Sequence, residues 1–163
     1  MKRFVLLLFI SLIGISAHAE EEDFSIGLNL GFGTDISNLG IGPKVQYCFT
    51  DAIRAELALN YFFKKDYTSM LDINLNAHYL FRISDKFNLY PLAGIYFTHI
   101  TTEIDIFGDR ISEWDEKLGI NLGGGAEYKI TNAFALDFEA KYQLLGINQA
   151  VISLGATYIF SAW

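Results

Sequence analysis

The side chains able to carry protons or ions in this 163-residue chain fall into three groups. Lys44, Arg54, Arg82, Lys129 and Lys141 share one strand parity with Glu56, Asp72, Glu127, Asp137 and Glu139, and His78 falls on that face as well. Five bases facing five acids suit a proton or ion path, or a packed ion-pair network. We read them as the network, because charges taken out of water persist only when paired and hydrogen-bonded. A second group is His99, Thr101 and Glu103, a base, a hydroxyl and an acid at alternate positions. Acyl-transfer chemistry needs such groups within hydrogen-bond reach, which spacing alone does not supply. The third is the stretch 101–116, where Glu103, Asp105, Asp109, Glu113, Asp115 and Glu116 stand against Arg110 alone. It has no EF-hand spacing, and the chain's one cysteine and three histidines form no zinc pattern. We assign no catalytic, cofactor-binding or metal-binding residue.

The elements that must position these groups are strands. Apolar residues recur at every second position, which is the strand period. Leu57, Leu59, Tyr61 and Phe63 alternate with Glu56, Ala58, Asn60 and Phe62, and Phe134, Leu136, Phe138, Ala140 and Tyr142 with Asp137, Glu139 and Lys141. Eight such segments fill the chain. Short connections at 50–52, 83–86 and 131–133 alternate with longer ones at 34–38, 64–68, 101–116 and 145–150, as in an antiparallel up-and-down meander. Three-residue turns would set Lys44 diagonal to Glu56, Lys129 diagonal to Asp137, and Glu127 opposite Asp137.

Which face points outward separates a soluble barrel from a membrane one. The apolar face carries most of the 14 Phe and 9 Tyr, more bulk than an eight-stranded interior holds. The other face is rich in Gly, Ser and Asn, and it bears the charges. Tyr47, Phe49, Tyr79, Phe81, Phe87, Tyr128, Phe134, Tyr158 and Phe160 gather at one set of strand ends, and Phe32, Tyr61, Phe63, Phe97 and Tyr142 at the other. Two aromatic girdles around an apolar band predict a transmembrane barrel with its charges in the lumen.

The first nineteen residues read as an address. Lys2 and Arg3 precede an apolar run, and Ala17-His18-Ala19 predicts signal-peptide cleavage between Ala19 and Glu20. Residues 20–163 then form one barrel domain. A net charge of −7 and a sequence pI near 4.8 argue against nucleic acid as a partner. The lone cysteine excludes an internal disulfide.

The Phe134–Tyr142 strand and the terminal 154–160 segment carry a family resemblance. The chain resembles the small outer-membrane β-barrels of Gram-negative bacteria, of the OmpA/OmpX type, over its whole mature length. That resemblance implies an all-β, eight-stranded antiparallel transmembrane barrel in the bacterial outer membrane. It also implies a C-terminal signal at Tyr158 and Phe160 that the barrel-assembly machinery reads. The expected role is structural or surface-interacting and not enzymatic, with an ion-paired, plugged lumen, contacts to outer-membrane lipid and lipopolysaccharide, and an extracellular partner at 101–116. A small porin-like solute channel is the first alternative. A lipid-modifying enzyme built on His99 is the second.

Overall fold

Period-two patterning becomes nine ladder-paired strands in a computed structural model, which describes residues 24–65, 67–106 and 109–160. They are β1 (Phe24–Gly33), β2 (Asn38–Cys48), β3 (Ile53–Lys65), β4 (Thr68–Tyr79), β5 (Phe81–Arg82), β6 (Phe87–Ile106), β7 (Asp109–Lys129), β8 (Phe134–Leu144) and β9 (Gln149–Phe160). Every neighbouring pair is antiparallel. β1 pairs with β9 and β4 with β6, so the sheet closes on itself. Strands β4 and β5 are two pieces of one barrel strand. His78 faces Leu92 and Phe81 faces Leu89 in the same register, and pairing lapses only at Tyr79 and Leu80. Pro91 stands opposite Tyr79 in that gap and has no N–H to offer; on the β3 side the strand stays bonded, Leu80 N–H donating to the Ala52 carbonyl at 2.7 Å. The barrel is therefore eight-stranded.

Three turns at the end that holds both Phe24 and Phe160 share one construction. Phe49 N–H donates to Ile53 O, Ile83 N–H to Phe87 O, and Ile130 N–H to Phe134 O, at 2.8–3.0 Å. In two of them a threonine side chain accepts the turn's own amides: Thr50 from Ala52 and Ile53, and Thr131 from Ala133 and Phe134. Such local hydroxyl bonds are why threonine and serine suit these positions.

Burial runs opposite to that of a soluble protein. Leu57, Phe138 and Leu154 are 49%, 49% and 61% exposed, whereas Glu56, Lys44 and Lys141 are 1%, 1% and 6% exposed. The outer face is an apolar belt whose rim at the turn end is tied by ring contacts between Tyr47 and Phe49, Tyr79 and Phe81, and Phe134 and Tyr158. Only hydrocarbon gives such a belt a favourable solvent. None of the described elements is a membrane-spanning helix.

Two connections differ from their sequence reading. Residues 101–106 and 109–116 are strand and not loop: β6 and β7 stay paired from Phe87–Tyr128 out to Ile106–Asp109. Likewise β3 runs to Lys65 across an irregularity between Phe62 and Lys65, so the connection to β4 is tighter than 64–68. The signal-peptide boundary at Ala19 and Glu20 lies outside the described residues.

Candidate functional site

The lumen is the first candidate. Alternate residues of β2, β3, β4, β7 and β8 send their charges inward, and antiparallel register brings distant strands to a common depth. Lys44 Nζ lies 2.5 Å from Asp137 Oδ1 and 4.0 Å from Glu56 Oε2. Arg54 donates to Glu127 and approaches His78 Nδ1 at 3.2–3.3 Å. Lys141 Nζ sits 3.2 Å from Glu139 Oε1. Neutral donors complete the set. Gln46 and Asn76 donate to Glu56 at 2.8 and 3.2 Å, Asn88 donates to Glu127 at 3.0 Å, and Thr98 and Gln143 donate to Asp72 at 2.5 and 3.0 Å. Register does set Glu127 opposite Asp137, and each acid turns to a different cation.

Tyr90 was not visible as a network member from charge alone. Its ring stacks on His78 at 4.6 Å, lies 5.0 Å under the Arg54 guanidinium, and its hydroxyl reaches Glu139 at 3.4 Å. Gly155 shows how tightly this core is filled. A Cβ there would lie 2.5 Å from Lys44 Nζ and from both Asp137 carboxylate oxygens.

One expected lumen residue is corrected, and a second keeps its face but not its expected partner. Arg82 is on the two-residue β5 beyond the Pro91 break, so its side chain lies at the rim. It is mostly exposed and pairs with Asp51 at 3.1 Å. Lys129 is half-buried beside the same mouth and, among the described residues, has no carboxylate within 4.0 Å. Its expected diagonal partner, Asp137, is turned across the lumen to Lys44 instead.

Glu56, His78 and Glu139 place one potential ligand atom each within 4.8 Å of one another. Their hydrogen bonding does not favour a metal. Arginine only donates, so its approach to Nδ1 puts the imidazole proton on Nε2, the atom that would have to bind. That Nε2 lies 3.9 Å from Glu56 and 4.0 Å from Glu139 and makes no hydrogen bond.

The barrel's opposite mouth has a different character. Phe62, Met70, Ile147 and Val151 form a buried apolar cluster, with Ile36 and Ile100 packed on it. A cavity of about 250 Å³ opens above them, with Asp35 and Lys65 on its rim. These residues come from four strands and two turns, and no sequence spacing links them.

Beyond that mouth, β6 and β7 project as a hairpin. Its β6 edge is sealed by the β3–β4 turn: Thr102 pairs with Thr68, Glu103 N–H donates to Tyr67 O at 2.9 Å, and Lys64 reaches Glu103 at 2.6 Å. The β7 edge is different, since its ladder with β8 begins at Ile120. On the hairpin's outer face, His99 Nδ1 lies 3.6 Å from Glu116 and stacks on Trp114, with Thr101 beside them. The carboxylate facing His99 is thus the cross-strand Glu116, whereas Glu103 is taken by Lys64. Lys117, hydrogen-bonded at 2.8 Å, holds the Asp115 carboxyl below the usual carboxylate range.

A closed eight-stranded barrel with greasy exterior and polar interior sets the comparison. The family model described as "Outer membrane protein beta-barrel domain" matches residues 5–160. The chain belongs to this family. As a family member it is a protein of the bacterial outer membrane. Among solved structures it is similar to the N-terminal β-barrel domain of Pseudomonas aeruginosa OprF, with TM-score 0.72 and 19% identity over 86% of this chain and 100% of that one. Ail of Yersinia pestis gives 0.61 and 23% over 86% and 98%. A major outer membrane protein of Thermus thermophilus gives 0.71 and 13% over 86% and 100%. At these identities the likeness is one of fold. Among curated proteins none matches.

Proposed function

We propose that this family member is a non-enzymatic surface protein whose filled barrel anchors the β6–β7 hairpin and presents its free strand edge to a partner outside the cell. The observation that carries this reading is the ladder itself. β7 starts at Asp109, yet its pairing with β8 starts only at Ile120. Unpaired N–H and C=O groups along such an edge are a template for adding a strand. Glu113, Asp115 and Glu116 are exposed on this stretch, so a basic extended segment suits it. One Ail structure is described as a complex with a heparin analogue, sucrose octasulfate. The acidic hairpin here argues for the opposite charge preference.

The filled lumen supports an anchor over a channel. Lys44, Glu56, Asn74, His78 and Asn121 are all at or below 1% exposure, which leaves an eight-stranded interior little free bore. Planar bilayers holding the refolded protein should therefore show no conductance steps, and regular steps would turn the reading to the channel. For the edge, a Lys/Val alternating peptide is titrated against the barrel in nanodiscs, beside the same peptide N-methylated at every second residue. Strand addition requires that methylation abolish binding. Equal binding of the two peptides would refute it. An unchanged lipid A mass spectrum after His99→Ala would dispose of the enzymatic alternative.

A further inference from the structure

The apolar mouth has features that closing a barrel does not require. The outer rim joins water, so a polar lining would be cheap there; yet Met70, Ile100, Ile147 and Ile36 surround a cavity of about 250 Å³. Among the described residues, the three non-glycine positions with left-handed backbone, Ser37, Tyr67 and Leu145 (φ 48°, 68° and 72°), sit in the three turns around this opening. Such conformations are unfavourable for bulky side chains and persist where surroundings enforce them.

The polar groups at the mouth are left partly unanswered. Gln149 is 1% exposed and donates through Nε2 to Gln143 at 2.6 Å, which fixes its amide orientation. Its Oε1 is buried and accepts no hydrogen bond. A Cβ on Gly33 would lie 2.8 Å from that oxygen, 3.1 Å from the Ile36 methyl and 3.3 Å from the Phe62 ring. Lys65 donates to the Ser37 carbonyl at 2.7 Å and has no carboxylate within 4.0 Å among the described residues. Asp35, also on the rim, has no ion pair there either. One anion and one cation thus face the opening without pairing to each other, over an apolar floor that holds an unused acceptor.

We infer that this mouth binds a small apolar zwitterion: a free amino acid with a branched or aromatic side chain. Asp35 takes its ammonium group and Lys65 its carboxylate. The side chain enters among Met70, Ile100 and Ile147, and an ammonium N–H turned inward satisfies Gln149 Oε1. The cavity lies just below the roughly 300–1,000 Å³ of typical small-molecule pockets, which limits the occupant to about this size. It opens inside the ring of strands, and bilayer lipid does not reach it from the side.

The test uses Met70, which remains the chain's single methionine reporter once Met1 is set aside. The full barrel is labelled with methyl-¹³C methionine in nanodiscs and titrated with L-leucine and L-phenylalanine. A saturable shift of the Met70 methyl is expected. Binding should weaken tenfold or more for 4-methylpentanoic acid and for 3-methylbutylamine, each of which keeps one charge. It should weaken similarly in D35N/K65Q, whose exposed positions leave the compact unboiled band unchanged, and Q149L should weaken it with both rim charges intact. No shift at millimolar amino acid overturns the inference. So does equal binding of the singly charged analogues, which would make the mouth a plain apolar seal.

Discussion

Arg54 touches Glu127, His78 and Tyr90 at once, so its removal leaves more than one group in the lumen without a partner. Breaking a buried pair by deleting one member costs about 3–5 kcal/mol. We expect Arg54→Ala to lose that much in urea unfolding from lipid vesicles, and the double change Arg54→Met/Glu127→Leu to recover most of it. Gly155 makes a complementary case. A side chain there displaces the Lys44–Asp137 pair, and overpacking of this kind costs about 1–3 kcal/mol. Gly155→Val should lower the denaturation midpoint accordingly, whereas Gly31→Ala, with its nearest neighbours at 3.6–3.8 Å, should be tolerated. Strand parity reveals which residues turn inward, because the side-chain period is two. It does not reveal partners. Lys44 and Asp137 are 93 residues apart and meet through barrel closure, which also draws Asp137 away from Lys129.

At the level of strands and turns, the sequence is most readable where alternation is unbroken and least where a single residue interrupts it. Pro91 splits the fourth barrel strand and leaves Arg82 at the rim, although parity alone places it in the lumen. The hairpin was obscured in another way. Its acids read as a solvated connection, yet they alternate with Ile104, Ile106, Ile111 and Trp114, a pattern a two-stranded ladder accepts. The hairpin extends beyond the barrel wall, so the fold does not depend on it. Replacing residues 103–114 with a tight turn should leave the unboiled gel band in place and remove binding of the basic peptide. With the hairpin present, that binding should fall as salt rises, because exposed charges are screened over about 10 Å at 0.1 M.

For the molecule as a whole, the apolar belt and the polar interior are one arrangement, and a change on either face tests both. Leu154 lies on the lipid side, opposite Leu30 and Phe138 on the neighbouring strands. An arginine near the bilayer midplane costs about 2–4 kcal/mol on that face. Leu154→Arg should show such a loss in vesicle refolding, while Ser84→Arg, in a turn outside the belt, should be near neutral. The whole-molecule pattern was legible because strand period, aromatic placement and charge parity all pointed the same way. The apolar mouth was not, since its lining converges only after the ring is complete. That ring is sealed by β1 against β9, with Phe24 opposite Phe160 and their rings 6.0 Å apart. The first and last strands are therefore immediate neighbours, and the order in which the chain visits the staves is arbitrary as far as the finished cask is concerned. A short linker from residue 160 to residue 24, with new ends opened at 107–108, should give a circular permutant of the same architecture whose termini emerge on the cell's outer side.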